Sequence, residues 1–464
     1  MLRAVQLYSE KVNGEGDVMM KTLYLIGIAL LLITGCARKE TLKTQPAESY
    51  IAAVIERLNT TGMHIGDMTG AADDAASRLV RGGRIRITDD ESLGLSGEDK
   101  ERVSRDGGVV YNVHENSGGI VAEACDRAGG LGAIKPYSAA EQLTVDDVVL
   151  VGTLDLHPEE QGKQLAAIRD SGALIILFGS RAARCAPYAS YVVDNGLDSG
   201  LCLTMDVGGA SRIGPVAGVA NVINMWTFTA ELVAALTRQG EMPTLWQSMY
   251  VPGAEARNER IGKSMFEADF QIQPIPSGAL GKQYVTAVHG FLESIQAQEL
   301  PRFHKTGALC AETISRGGKV VTWLIGHFMA SQNRMPGTPA PFAILGNEDV
   351  LDQLREKLGG EDVFLHVGYS YYPQRELLIA REKGAKTICV MTPGPAIAGE
   401  GAPVNPDMSL IDIYIDPFWK HGDAVVEVPG YDTKIIPPSG VVMATCYWMI
   451  IGETVAHHNT GDRQ

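Results

Sequence analysis

The chain has 464 residues, 45% hydrophobic and 20% charged, which excludes a disordered polymer. At about 100–200 residues per domain, that length suggests two to four domains. The formal charge of −15 argues against nucleic-acid binding, which needs a basic face to displace counterions, and leaves open a local basic pocket for a phosphate.

The first element is an apolar run, 23–32, behind Lys21 and ahead of Ile33-Thr34-Gly35-Cys36. It is too short for a bilayer span, which needs about 20 apolar residues, and has the size of a signal-peptide core. Small residues directly before a cysteine resemble the bacterial lipobox, so Cys36 is the expected lipidation site and 1–36 the signal region. Met19 or Met20 is the natural start, because Glu10, Glu15 and Asp17 make 1–18 too acidic for a signal sequence. Residues 37–40 read as a polar tether. The expected location is the bacterial cell envelope, lipid-anchored on the extracytoplasmic, periplasmic side.

Beyond the tether the sequence repeats itself. Tyr50-Ile-Ala-Ala-Val-Ile-Glu-Arg-Leu58 echoes Tyr284-Val-Thr-Ala-Val-His-Gly-Phe-Leu292. Arg81-Gly82-Gly83 echoes Arg316-Gly317-Gly318, and the Asp147-headed apolar run echoes the one behind Asp362. Gly172-Ala173 returns as Gly384-Ala385. Trp226 and Glu231 return as Trp448 and Glu453. The order is kept throughout, which marks a duplication. The offset falls from about 235 to about 215 residues, so the first copy carries an insertion, placed at the polar segment 89–107.

Each copy predicts the same elements in the same order. A helix ends at the Gly-Gly pair. A β-rich run follows, then an apolar strand without polar alternation (148–151 and 363–367), the pattern of a strand buried on both faces. Next come a helix (160–171, 374–383), a strand (173–178, 385–391), a short strand (191–194, 411–415) and a long apolar helix holding the tryptophan and glutamate. The fold class is therefore α/β, with two tandem doubly wound three-layer αβα domains on parallel sheets. They span 46–240 and 283–458. Residues 241–282 read as a linker packed over the surface. The six cysteines after Cys36 show no CxxC spacing and read as small buried hydrophobes. No metal site and no cofactor are expected.

Residues 147–152, the helix after them and Gly172-Ala-Leu-Ile-Ile-Leu-Phe-Gly-Ser180 resemble the central unit of the sugar-isomerase (SIS, phosphosugar-binding) domains. Arg127-Ala-Gly-Gly-Leu131 is similar to a segment of its phosphosugar-binding members. The resemblance implies a sugar or sugar-phosphate ligand, homo-oligomers, and aldose–ketose isomerisation in some members. It also implies a hydroxyl-rich phosphate loop at a helix N-terminus. That loop here reads Gly152-Thr153-Leu154-Asp155-Leu156-His157-Pro158 in the first copy and Gly368-Tyr369-Ser370-Tyr371-Tyr372-Pro373 in the second. A carboxylate beside a phosphate is unfavourable without a cation between them. Asp155 therefore suits a neutral sugar's hydroxyls, and Tyr369, Tyr371 and Tyr372 suit stacking on a sugar ring.

The candidate substrate-binding residues are Asn116, Ser117, Thr153, Asp155, His327, Tyr369, Ser370 and Tyr371. Isomerisation through an enediol needs a base and an acid. His114 and Glu115, after a predicted strand at 109–113, stand where doubly wound sheets bind ligands, and His327 follows the comparable strand of the second copy. Glu231 and Glu453 are carboxylates in apolar helices. They are either catalytic bases or structural partners for backbone groups or an arginine, the structural role being the simpler. Trp226 and Trp448 read as packing residues. The expected function is a lipid-anchored binder of a sugar derivative with an isomerase activity open to it; the alternative is a non-catalytic envelope scaffold that retains the fold.

Overall fold

The computed structural model describes residues 45–90, 119–208, 212–325, 342–346, 349–369, 372–392, 396–398, 402–404 and 407–461. The first copy runs α1 (Pro46–Met63), α2 (Ile65–Val80), β1 (Ile85–Asp89), α3 (Ile120–Ala124), β2 (Lys135–Pro136), β3 (Val148–Gly152), α4 (Pro158–Asp170), β4 (Leu174–Gly179) and β5 (Tyr191–Asp194). An antiparallel pair, β6 (Leu203–Asp206) and β7 (Arg212–Pro215), leads into α5 (Ala217–Arg238). The connecting segment holds α6 (Ala254–Asn258). The second copy runs α7 (Ala279–Gln298), α8 (Leu300–Ser315), β8 (Val320–Ile325), β9 (Ala343–Ile344), α9 (Val350–Lys357), β10 (Val363–Gly368), α10 (Gln374–Lys383) and β11 (Lys386–Met391). A short antiparallel pair follows, β12 (Ala396–Ala398) and β13 (Ala402–Val404), then β14 (Ile413–Ile415) and α11 (Ser439–Gly461).

The two sheets have one topology. The first is ordered β2-β1-β3-β4-β5 and the second β9-β8-β10-β11-β14, with every neighbour parallel. In chain order within each copy both read 2-1-3-4-5. The direction of winding reverses between the first and third strands, which opens a crevice at their carboxyl ends. Both faces of each sheet are covered. Val148 and Leu150 point into a core cluster shared by the two copies, while Val149 and Val151 meet Leu165 and Ile168 of α4. Val363 and Leu365 join the shared cluster, and Phe364 packs with Leu377 of α10.

The shared layer is built by exchange. α2 packs on α5 and α8 on α11, each within its copy, but α1 packs on α11 and α7 on α5, across the copies. Trp226 and Trp448 are nearly or fully buried there, Trp448 against the Tyr50 ring at 6.4 Å. α5 and α11 are long and apolar enough to cross a membrane, yet their most apolar windows are 100% and 89% buried inside the protein, as core helices are.

The repeated residues have repeated tasks. Gly82 and Gly317 end their helices with φ of +96° and +82°, a conformation that L side chains rarely adopt. A Cβ on Gly83 would lie 1.8 Å from the Asp146 carbonyl oxygen, and on Gly318 2.6 Å from that of Glu361. The Asp147 carboxylate accepts from the Arg84 backbone N–H at 2.8 Å, and Asp362 from that of Lys319 at 2.7 Å. Each aspartate thereby ties the start of the third strand to the start of the first.

Two expectations change. The connecting segment runs over the surface through most of 249–274, as expected, but its first residues are sunk into the fold: Met242, Thr244, Leu245 and Ser248 are all at most 3% exposed. It pairs with the first copy through Leu131 and Leu245. The polar insertion does not begin outside the fold, because Asp89 is the last residue of β1, opposite Gly152, and Asp90 is fully buried. Residues 91–118, including the strand expected at 109–113, lie outside the described residues. Among the described residues the six cysteines are unpaired, five of them buried.

Candidate functional site

The first-copy crevice, between the ends of β1 and β3, is filled from within. Leu154 N–H donates to both Asp90 carboxylate oxygens at 3.0 Å, and Leu156 N–H donates to Oδ2 at 2.8 Å. Asp155, between them, has φ of +59°, which turns the two N–H groups toward one point. The Thr153 hydroxyl lies 3.2 Å from Asp90 Oδ2 and 2.8 Å from Gln161 Oε1, and Gln161 Nε2 donates to Gly152 O at 2.8 Å. Burial pushes the Asp90 carboxyl up to about 6. The neighbouring Asp89 adds to that, while the two N–H groups and the Thr153 hydroxyl hold it back. Thr153 is thus a buried structural hydroxyl rather than an open ligand group. Asp155 is held by Arg184, whose Nε lies 3.3 Å from Oδ2 and whose backbone N–H lies 3.2 Å from Oδ1.

The second-copy crevice is built differently. Tyr369 follows directly on β10 and is 9% exposed. Its hydroxyl is 2.9 Å from Ser248 Oγ of the connecting segment and accepts from Gly422 N–H at 2.9 Å. Its ring meets Trp419, Tyr250 and His421 edge-on, at centroid distances of 4.9, 5.4 and 5.3 Å. It is therefore a buried tie, not a platform for a sugar ring, and burial pushes its phenol up to about 12. Tyr372 is also buried and donates to the Asp407 carbonyl.

Above this tie lies a cleft of about 230 Å³ between the copies, lined by Trp246, Gln247, Ser248, His421, Thr433 and Lys434, with Gly129 and Gly422 in its wall. His421 Nε2 lies 3.0 Å from the Tyr250 carbonyl, and Nδ1 has no hydrogen-bond partner among the described residues. Gln247 and Thr433 also line a neighbouring depression of about 390 Å³ over Arg257, Arg260 and Asp432. The charges there are matched: Arg257 bonds Asp432, and Arg260 lies 3.1 Å from Glu267. The Arg127–Leu131 segment reaches the cleft at Gly129, and Arg127 crosses to the second copy, 2.8 Å from Asp423. Glu123 of the first copy, 3.4 Å from Arg127, completes this buried group. Burial raises both carboxyls, and Arg127 opposes that rise. Around the same cleft Phe418, Asp423 and Ile436 have φ of +63°, +49° and +62°. Such backbone in non-glycine residues costs on the order of 1–3 kcal/mol each and concentrates at functional sites.

Glu231 and Glu453 are far from catalytic in placement. Glu231 accepts from Gly278 and Gly281 N–H at 2.6 and 2.7 Å, at the start of α7. Glu453 accepts from Ala47 N–H at 2.8 Å, at the start of α1. Both are structural caps. His114, Glu115, Asn116, Ser117, His327, Ser370, Tyr371 and the lipidation residue Cys36 lie outside the described residues. Apart from Gly129 in the Arg127–Leu131 segment, the residues that line the cleft went unread in the sequence, although Trp246-Gln247-Ser248 in a proline- and glycine-rich stretch is the kind of loop aromatic that binding sites use. Among the described residues no group of acidic, histidine and cysteine side chains could hold a metal ion.

No family model and no curated protein matches the chain. Solved structures do resemble it. The C-terminal domain of glucosamine-fructose-6-phosphate aminotransferase from Francisella tularensis aligns over 88% of this chain and 95% of its own, with 9% identity and a TM-score of 0.44. A protein from Bacillus subtilis, described provisionally as a phosphosugar isomerase, aligns over 86% and 96% with 11% identity and a TM-score of 0.40. The sugar isomerase domain of an RpiR transcription factor from Sphaerobacter thermophilus aligns over 39% of this chain and 97% of its own, with 17% identity and a TM-score of 0.24.

Proposed function

We propose that this chain is a sugar-binding protein of the sugar-isomerase type whose ligand sits in the cleft between the copies, and that Cys36 anchors it outside the cytoplasm. The observation that carries the reading is the cleft itself: a tryptophan, an amide, hydroxyls and an imidazole converge at the carboxyl end of the second sheet, over strained backbone. Those groups match a ring with an apolar face and a hydroxylated rim. The matched charges of the adjoining depression, and the Asp90 carboxylate already seated in the first-copy crevice, favour a neutral sugar over a phosphorylated one.

Calorimetry with neutral mono- and disaccharides and with their phosphates tests this. Binding of a neutral sugar is expected, weakened roughly tenfold or more by Trp246→Ala and by Tyr369→Phe, which frees Ser248 and Gly422. Folded protein that responds to no sugar, or a Trp246→Ala variant that binds unchanged, sinks it. Palmitate labelling that survives Cys36→Ala removes the anchor.

One observation favours catalysis as a second reading. His421 lines the cleft; with its Nε2 proton donated to the Tyr250 carbonyl, Nδ1 keeps an unshared lone pair, buried behind the cleft surface, which a base for enediol chemistry uses once a bound sugar draws the ring outward. Deuterium exchange from solvent into the carbon beside the carbonyl of a bound sugar, lost in His421→Gln, is the expected sign. No exchange in the native protein leaves binding alone.

A further inference from the structure

The turn Thr153-Leu154-Asp155-Leu156 has the form of an oxyanion nest. Two backbone N–H groups, on either side of a residue with φ of +59°, converge on one point at the topological switch point of the sheet, just before α4 begins. In this chain the point is occupied. The occupant is the carboxylate of Asp90, from the other wall of the crevice and more than sixty positions earlier in the sequence. It is fully buried, receives both N–H groups and lies within reach of the Thr153 hydroxyl. The depression beside it, over Thr153, Leu154, Asp155, Ser180 and Asn195, has no room for a water molecule.

We infer that Asp90 is an internal ligand that permanently fills the oxyanion nest of the first copy. This copy therefore takes up no carboxylate or phosphate from solution, and Asp90 is the residue that determines this. A carboxylate meets two N–H donors and a hydroxyl with the same charge and geometry as a phosphate or carboxylate oxygen pair. An outside anion would have to displace a group tethered at very high effective concentration, as well as lie against its negative charge. The chain would then present one ligand site, not the two that duplication suggests. The inference holds whatever the cleft of the second copy binds.

Truncating the ligand and returning it as a small molecule tests the idea on the full chain. Asp90→Ala is expected to melt at a lower temperature than the native protein and to regain most of the loss in formate, with chloride at equal ionic strength giving none. Formate is expected to leave the native melting temperature unchanged. Inorganic phosphate is expected to bind Asp90→Ala roughly tenfold or more tighter than the native chain. Formate acting no differently from chloride on folded Asp90→Ala overturns the proposal. So does native protein whose Leu154 and Leu156 amides shift when phosphate is added. Should Asp90→Ala fail to fold, Asp90→Ser carries the rescue.

Discussion

Glu231 and Glu453 hold equivalent places on α5 and α11, and each closes the first helix of the other copy. Glu231 receives Gly278 and Gly281 N–H at the start of α7, and Glu453 receives Ala47 N–H at the start of α1. The helix that opens at Gly278 has a glycine where a capping side chain would normally stand, so the carboxylate comes from elsewhere. A negative charge there also meets the positive end of the helix dipole. The pair locks the copies together reciprocally, which is why both glutamates recur while the loops around the ligand sites do not.

Removing the Glu231 carboxylate leaves the buried Gly281 N–H and the half-buried Gly278 N–H without an acceptor. Glu231→Ala is expected to lower unfolding stability by about 2–3 kcal/mol in urea titration, and Glu231→Gln by about half of that. Sugar affinity of the folded protein should be unchanged. Catalysis or binding lost with stability intact would return Glu231 to the active site.

Two aspartates should shape the pH profile in opposite senses. Asp90 has its carboxyl raised to about 6 by burial, so the folded state holds that proton more tightly than the unfolded chain. Its contribution is fully present below about pH 4 and is lost as pH rises through about 6. The groups facing it are Asp89, the Thr153 hydroxyl, Gln161 and Cys185 beside Thr153. Asp147 is the reverse case. Burial opposes ionisation, but the Arg84 guanidinium and the Arg84 and Thr144 N–H groups hold it at about 2. Its contribution is present above about pH 4 and lost as pH falls through about 2. In Asp90→Asn the decline between about pH 4 and about pH 6 should vanish while the acid limb set by Asp147 stays. A profile unchanged by Asp90→Asn assigns the decline to another group.

The second glycine of each Gly-Gly pair tolerates no side chain. Gly83→Ala puts a methyl 1.8 Å from the Asp146 carbonyl oxygen, and Gly318→Ala puts one 2.6 Å from that of Glu361. Both contacts are with backbone, which cannot swing aside. Each variant should lose about 2–4 kcal/mol, Gly83→Ala the more, read as a lower midpoint in denaturant. By contrast Gly66→Ala meets no atom within 4 Å and should be neutral or slightly stabilising, since it lies inside α2.

The strands and the helices between them were legible because the signals are local. Residues 148–151 are apolar on both faces, as are 363–367 apart from His366, and the structure buries both faces. The predicted helix at 374–383 and strand at 191–194 appear with those bounds, and the Gly-Gly pairs end the helices they were read to end. The duplication followed from order and spacing, and the identical 2-1-3-4-5 sheets follow from the duplication.

What tertiary structure alone decided is who meets whom across distance. No periodicity tells that α1 packs on α11 of the other copy as well as on its own copy's α5, because an apolar face specifies burial and not its partner. Nothing near Thr153 in the sequence announces that its anion comes from Asp90, nor that the hydroxyl of Tyr369 ties Ser248 of the connecting segment to Gly422. Local hydrogen-bonding and hydrophobic patterns determine the elements. The site is set by contacts made only once two sheets, a connecting segment and an exchanged pair of helices have closed around one core.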